Sequence, residues 1–70
     1  MISDMELTEI IEKAIEDEVR SETLYRRCAE EAADPETRAA FETLAGDEHN
    51  HQKVLKERLV NLRLKLKKLK

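Results

Sequence analysis

Ala32-Ala33-Asp34-Pro35-Glu36-Thr37 is the one strong punctuation in this chain, and its reading decides the fold. Aspartate is a good helix N-cap because its side-chain oxygen accepts from N–H groups that the first turn leaves unpaired. Proline is favoured at the first helical position, where its missing N–H costs nothing. The stretch therefore ends one helix near Ala33, turns at 34–35 and opens a second helix at about residue 36. So short a connection sends the second helix back along the first, as an antiparallel hairpin.

Upstream of the turn, Ser3 and Glu6 have the spacing of a capping box. Apolar residues then recur at helical intervals: Leu7, Ile11, Ala14, Ile15, Tyr25, Ala29 and Ala32. This predicts a first helix over about 4–33. Downstream, Phe41, Leu44, Leu55, Leu59, Leu62, Leu66 and Leu69 form the matching stripe, which predicts a second helix over about 36–69. Gly46 costs about 1 kcal/mol of helix propensity relative to Ala, but the stripe keeps phase through it, so one continuous helix is expected. Leu62, Leu64 and Leu66 alternate as a strand would; the surrounding Lys and Arg and the lack of turn residues favour helix.

Composition agrees with an all-α chain. There are 70 residues, 41% of them charged, with 1 Gly and 1 Pro. A chain this short buries little core and usually needs a metal, a partner or both. The single cysteine, Cys28, excludes an intrachain disulfide and a Cys-only metal site; it reads as a small buried hydrophobe. No run approaches the ~20 apolar residues of a membrane span, and the acidic start Met1-Ile2-Ser3-Asp4 is unlike a signal peptide. The expected location is cytoplasmic, with no membrane partner.

Where the apolar stripes turn polar, they point to chemistry. Glu18 lies seven residues after Ile11 and seven before Tyr25, so two turns of helix return it to nearly the same face. On the second helix Glu48 and His51 fall between Leu44 and Leu55. Burying an unpaired carboxylate costs several kcal/mol, so such groups are paired, protonated or bound to a cation. The hairpin brings them to one height: Glu18 is 16 residues before Asp34, while Glu48 and His51 are 13 and 16 residues after Pro35. Glu-x-x-His is the spacing used by helix-bundle di-iron proteins, whose full site takes four Glu and two His. One chain offers half of that set. Two chains about a two-fold axis offer all of it, as a homodimeric four-helix bundle with two iron ions per dimer.

Other polar residues read more plainly. His49 is one residue from Glu48 and is expected to point elsewhere, exposed. Glu22, one turn past Glu18, is assigned a surface role, with a supplementary metal ligand as the alternative. Tyr25 serves as core filling, as a hydrogen-bond donor to a metal-bound carboxylate, or as both. Charge is unevenly spread: residues 1–52 hold 15 acidic and 5 basic side chains, whereas residues 53–70 hold 1 and 8. A basic tail can signal nucleic acid. Here the hairpin places residues 56–66 beside 3–13, which contain Asp4, Glu6, Glu9 and Glu12. The tail is expected to complement that acidic end, and no nucleic-acid partner is expected.

The run Ala14-Ile15-Glu16-Asp17-Glu18, with Tyr25, then Ala29-Glu30-Glu31-Ala32, Phe41-Glu42-Thr43-Leu44-Ala45, Glu48 and His51, resembles one half of a rubrerythrin. More closely it resembles the encapsulated ferritins, two-helix chains that dimerise into a ferroxidase centre. The resemblance covers roughly residues 7–55. It implies Glu18, Glu48 and His51 as iron ligands, Glu48 as the bridge, and Tyr25 beside the centre. It also implies ferroxidase activity for iron storage or detoxification, a higher homo-oligomer of dimers, and an encapsulin nanocompartment as a location. Arg20 stands where that family often has another acidic residue near the first ligand, and the Gly- and Leu-containing docking tail for the shell has no counterpart. Nor is there a Cys-x-x-Cys pair for rubredoxin-type electron entry. Three rival functions are a non-enzymatic helical assembly module with a structural metal, a rubrerythrin-like peroxide-scavenging half-bundle, and a polyanion-binding hairpin.

Overall fold

The computed structural model describes residues 1–68. Two helices, α1 (Asp4–Glu31) and α2 (Pro35–Lys68), pack against each other as an antiparallel hairpin. The described residues span 55 × 17 × 16 Å, close to the length that α2 alone requires at ~1.5 Å per residue. The expected end of the second helix at 69, and Leu69 on its stripe, lie outside the described residues.

The predicted caps form. The Glu6 N–H donates to Ser3 Oγ (3.1 Å) and the Ser3 N–H donates to Glu6 Oε1 (3.4 Å), completing a capping box. Before α2, the Thr37 N–H donates to Asp34 Oδ2 (2.8 Å). α1 ends at Glu31, two residues earlier than the stripe predicts. The reason lies in Asp34: a residue preceding proline is pushed away from helical backbone angles, and an N-cap must also be non-helical. The reversal therefore takes up Ala32 and Ala33 as well. Ala32 is extended (φ −68°, ψ 126°) while its N–H still donates to the Cys28 carbonyl. Arg38 reaches back to donate to the Ala32 carbonyl (3.0 Å), closing the turn.

α2 runs unbroken through Gly46 and through Leu62–Leu66. Leu62 and Leu66 are half-buried while Leu64 is 51% exposed, as helical phase requires. The seam between the helices is narrow. Ala29, Ala45 and Leu59 are its buried apolar residues, and two of these are small enough to let the backbones approach. Leu7, Ile11, Ile15, Phe41, Leu55 and Cys28 are half-buried. The Tyr25 and Phe41 rings pack near the turn with centroids 6.1 Å apart. Leu44, expected on the inward stripe, is 40% exposed; Ala45 occupies the inward position with no exposure. From Phe41 the inward row advances four residues rather than three and then runs Ala45, Glu48, Gln52, Leu55 and Leu59.

Part of the basic tail meets the acidic end of α1 as expected. Arg63 Nη2 lies 2.9 Å from Glu12 Oε1, and Lys65 Nζ lies 3.1 Å from Asp4 Oδ2. Among the described residues, no helix is long and apolar enough to cross a membrane.

A Cβ added at Gly46 meets nothing within 4 Å, and its backbone is helical. Gly46→Ala should therefore stabilise the protein by about 1 kcal/mol. For a chain of this size that is a rise of about 4–8 °C in Tm, measurable by thermal melts followed at the helix band of the circular dichroism spectrum. An unchanged or lower midpoint would show that Gly46 faces a contact outside the hairpin.

Candidate metal centre

α1 supplies Glu18 to the seam, and one turn of α2 supplies Glu48 and His51. One donor atom from each of the three lies within 4.8 Å of the others. His51 Nδ1 is 3.3 Å from Glu18 Oε2 and 4.0 Å from Glu48 Oε1. The carboxylates are recessed, with side chains 26% (Glu18) and 18% (Glu48) exposed, whereas the imidazole is 59% exposed. The cluster thus sits at the hairpin surface with its open side at His51.

Electrostatics set Glu48 apart. A hydrogen bond shared with Glu18 raises its carboxyl above the usual range, and burial and the Glu18 charge push the same way. His51 opposes the shift and Asp47 adds to it. The shift is that of a carboxylate placed beside another without a full counter-charge, an arrangement that favours binding a cation. Two carboxylates and an imidazole suit iron, since hard oxygen donors hold Fe(III) and imidazole also holds Fe(II).

Tyr25 lies two turns from Glu18, about 10.5 Å along the helix axis, and its ring contact is with Phe41. The surface role assigned to Glu22 does not hold, because its side chain is 16% exposed and lies between the helices. Gln52 Nε2 donates to Glu22 Oε1 (2.7 Å), and His49 Nδ1 lies 3.2 Å from the same oxygen. Arg26 Nε donates to Glu22 Oε2 (2.7 Å). These contacts, Arg26 foremost, hold the Glu22 carboxyl below its usual range. His49 is exposed, as expected, but turns toward Glu22.

Gln52 is the residue that sequence reasoning missed. It is 5% exposed and ties the helices together one turn from the cluster. A signal was available: Glu22 follows Glu18, and Gln52 follows Glu48, by four residues each, so a second polar pair faces across the seam. Gln52→Leu should leave the hairpin folded but free its register beside Glu18 and His51. Metal affinity in an anaerobic Co(II) titration should then fall about tenfold, the lower end of the usual effect of losing a supporting hydrogen bond. Wild-type affinity in that variant would make the Glu22–Gln52 bond irrelevant to the cluster.

A helical hairpin that brings one Glu together with a Glu-x-x-His turn defines a helical carboxylate–histidine metal protein. The Rubrerythrin family model matches residues 9–70, nearly the whole chain, and the chain belongs to that family. It is thereby a member of the ferritin-like superfamily, with iron binding and iron-related oxidoreductase chemistry as the family's general character. Comparison with curated proteins and with solved structures returns no match.

Proposed function

We propose that two copies of this chain form a ferroxidase, oxidising Fe(II) to Fe(III) at a centre to which each contributes Glu18, Glu48 and His51. The observation that carries this reading is the convergence of half a di-iron donor set at the hairpin surface, within 4.8 Å. Two Fe(II) ions carry four positive charges, and one hairpin offers two carboxylates against them. A second hairpin closes the difference.

The surface around the cluster fits such a partner. Leu7, Ala14, Glu18 and Tyr25 are spaced by seven, four and seven residues on α1. Leu44, His51, Leu55 and Leu62 repeat the same spacing on α2. Steps of four and seven keep a helix face, so both rows border one flank of the hairpin with the cluster near its middle. Among the described residues the hairpin also has no large side chain that is fully buried. Covering this flank gives the half-buried leucines, Tyr25 and Leu44 a core, and it removes His51 from water.

In this reading Glu48 would be the carboxylate shared by the two ions, and the cations would relieve its repulsion by Glu18. Glu18 and His51 hold the outer positions. Tyr25, two turns along α1 from Glu18, packs against Phe41 on the same flank. Two Fe(II) held there would give two electrons, with two protons from water, to oxygen, forming hydrogen peroxide, or to peroxide, forming water, and would leave as the Fe(III) product.

Anaerobic Fe(II) titration followed by sedimentation and then oxygen tests the whole claim. Loading should stop at two ions per dimer, and the ferric product should absorb in the near ultraviolet faster than in protein-free buffer. A stable monomer in the presence of iron would remove the shared centre. Iron binding without acceleration would leave a structural metal in a helical assembly module.

A further inference from the structure

The seam between the helices carries a polar pair where its period calls for apolar residues. On α2 the buried residues Ala45, Gln52 and Leu59 are seven apart. The row that α1 turns to the seam, Thr8, Ile15, Glu22 and Ala29, also advances by sevens, buried at its two ends and half-buried between. Glu22 and Gln52 thus stand in the core rows of a hairpin that has little core. Replacing a buried polar pair by apolar residues of similar volume is often neutral or stabilising. A polar residue in such a row fixes how two helices align, at a cost in stability.

Glu22 fastens each helix with a different oxygen. Its Oε2 takes Arg26 of the same helix, with Nε at 2.7 Å and Nη2 at 2.6 Å. Its Oε1 accepts from Gln52 Nε2 (2.7 Å) and lies 3.2 Å from His49 Nδ1. Arg26 therefore pins the carboxylate from α1, and one turn of α2 grips it from the other side. That turn is the one that carries the metal donors. Glu48 and His51 are three residues apart, and His49 and Gln52 are the same pair shifted by one residue, about 100° round the helix. With His49 and Gln52 held on Glu22, Glu48 and His51 are left facing Glu18. The buried apolar neighbours Ala29 and Ala45 are too small to key that angle.

We infer that Glu22 is a positioning residue, whose carboxylate sets the rotation of the 48–52 turn of α2 so that Glu48 and His51 meet Glu18 before an ion arrives. The inference rests on Glu18, Glu48 and His51 holding metal. It extends the part played by Gln52: the fixed point is Glu22, locked by Arg26, and the whole donor-bearing turn is aligned on it.

Glu22→Leu combined with Gln52→Leu separates alignment from stability, read by metal-free thermal melts and anaerobic Co(II) titration of the full chain. The double variant should melt at or above the wild-type midpoint, because two leucines extend the buried apolar rows. It should nevertheless bind Co(II) about tenfold more weakly and with an altered visible band, because its donors no longer share a preset geometry. Glu22→Gln can still accept from Gln52, so it should keep the wild-type affinity and band. Arg27→Ala, on the exposed side of α1, should change neither. Wild-type affinity in the double variant would overturn the inference. So would a midpoint that falls together with the affinity, which would make the pair plain structural support. A loss in Glu22→Gln as large as in the double variant would overturn it too, because charge rather than alignment would then be decisive. These three results leave the metal centre standing, whereas a wild type that binds no Co(II) would overturn the centre and this inference with it.

Discussion

Glu18→Ala, Glu48→Ala and His51→Ala are each expected to drop aerobic Fe(II) oxidation to the rate of protein-free buffer. In a symmetric dimer one substitution removes two donors. Either glutamate variant leaves two carboxylates to offset four positive charges, and the histidine variant removes both imidazoles from the set. The remaining donors cannot hold two ions in bridging distance, so the loss should be of the whole acceleration. Stopped-flow absorbance in the near ultraviolet reads it directly, with sedimentation as a check that the assembly persists. Tyr25→Phe should slow the reaction by about tenfold or less, since its ring packs against Phe41 and its hydroxyl is not needed to complete the donor set. Wild-type acceleration in any of the three alanine variants would take that residue out of the centre.

Glu48→Gln should have opposite effects on the metal-free and metal-loaded protein. The folded structure raises the Glu48 carboxyl above its ordinary value of 4.5, chiefly through the hydrogen bond it shares with Glu18. A raised carboxyl binds its proton more tightly folded than unfolded. Its contribution to stability is fully present below pH 4.5 and is lost as the pH rises through the folded value. At neutral pH the ionised pair Glu18–Glu48 therefore weakens the metal-free hairpin. Glutamine resembles the protonated acid at every pH, so the metal-free variant should melt above wild type at neutral pH and match it in acid. Asp17, Glu22 and Asp34, whose carboxyls are held low by their partners, work the other way and lose their contribution as pH falls. They are common to both proteins, so the difference between the two melting curves isolates Glu48. Metal reverses the order. Fe(II) at a hundred times its dissociation constant adds about 2.7 kcal/mol to wild type, or about 10–20 °C in a chain of this size. The glutamine variant should gain none of it. A wild-type response to iron in that variant would show that Glu48 is not a ligand.

Much of this site can be read before folding because a helix converts spacing into direction. Glu18, Glu48 and His51 interrupt apolar rows whose period is visible, and the Asp34-Pro35 turn sets their heights. The structure brings these three donors within reach of one another. Glu22 and Gln52 follow the same rule one turn further on. Glu22 reads as a surface residue and Gln52 escapes notice because a polar residue at a row's edge looks solvated until the crossing of the helices fixes which edge is covered.

The sequence by itself determined two helices, their caps, their antiparallel order and the face on which carboxylates and imidazole lie, because each depends on contacts between near neighbours in the chain. Tertiary structure decided what depends on rotation of one helix against the other. It placed Ala45 rather than Leu44 in the seam, ended α1 at Glu31 so that the reversal had room, and buried Gln52 against Glu22. It also divided the basic tail into Arg63 and Lys65, which pair with acids of α1, and Lys53, Lys56 and Lys67, which make no ion pair among the described residues. A rotation of one residue's step, about 100°, is invisible to a hydrophobic count that tolerates three- and four-residue steps alike. Packing distinguishes them because only a small side chain lets the two backbones close, and Ala45 lies fully covered in the seam where leucine would hold them apart.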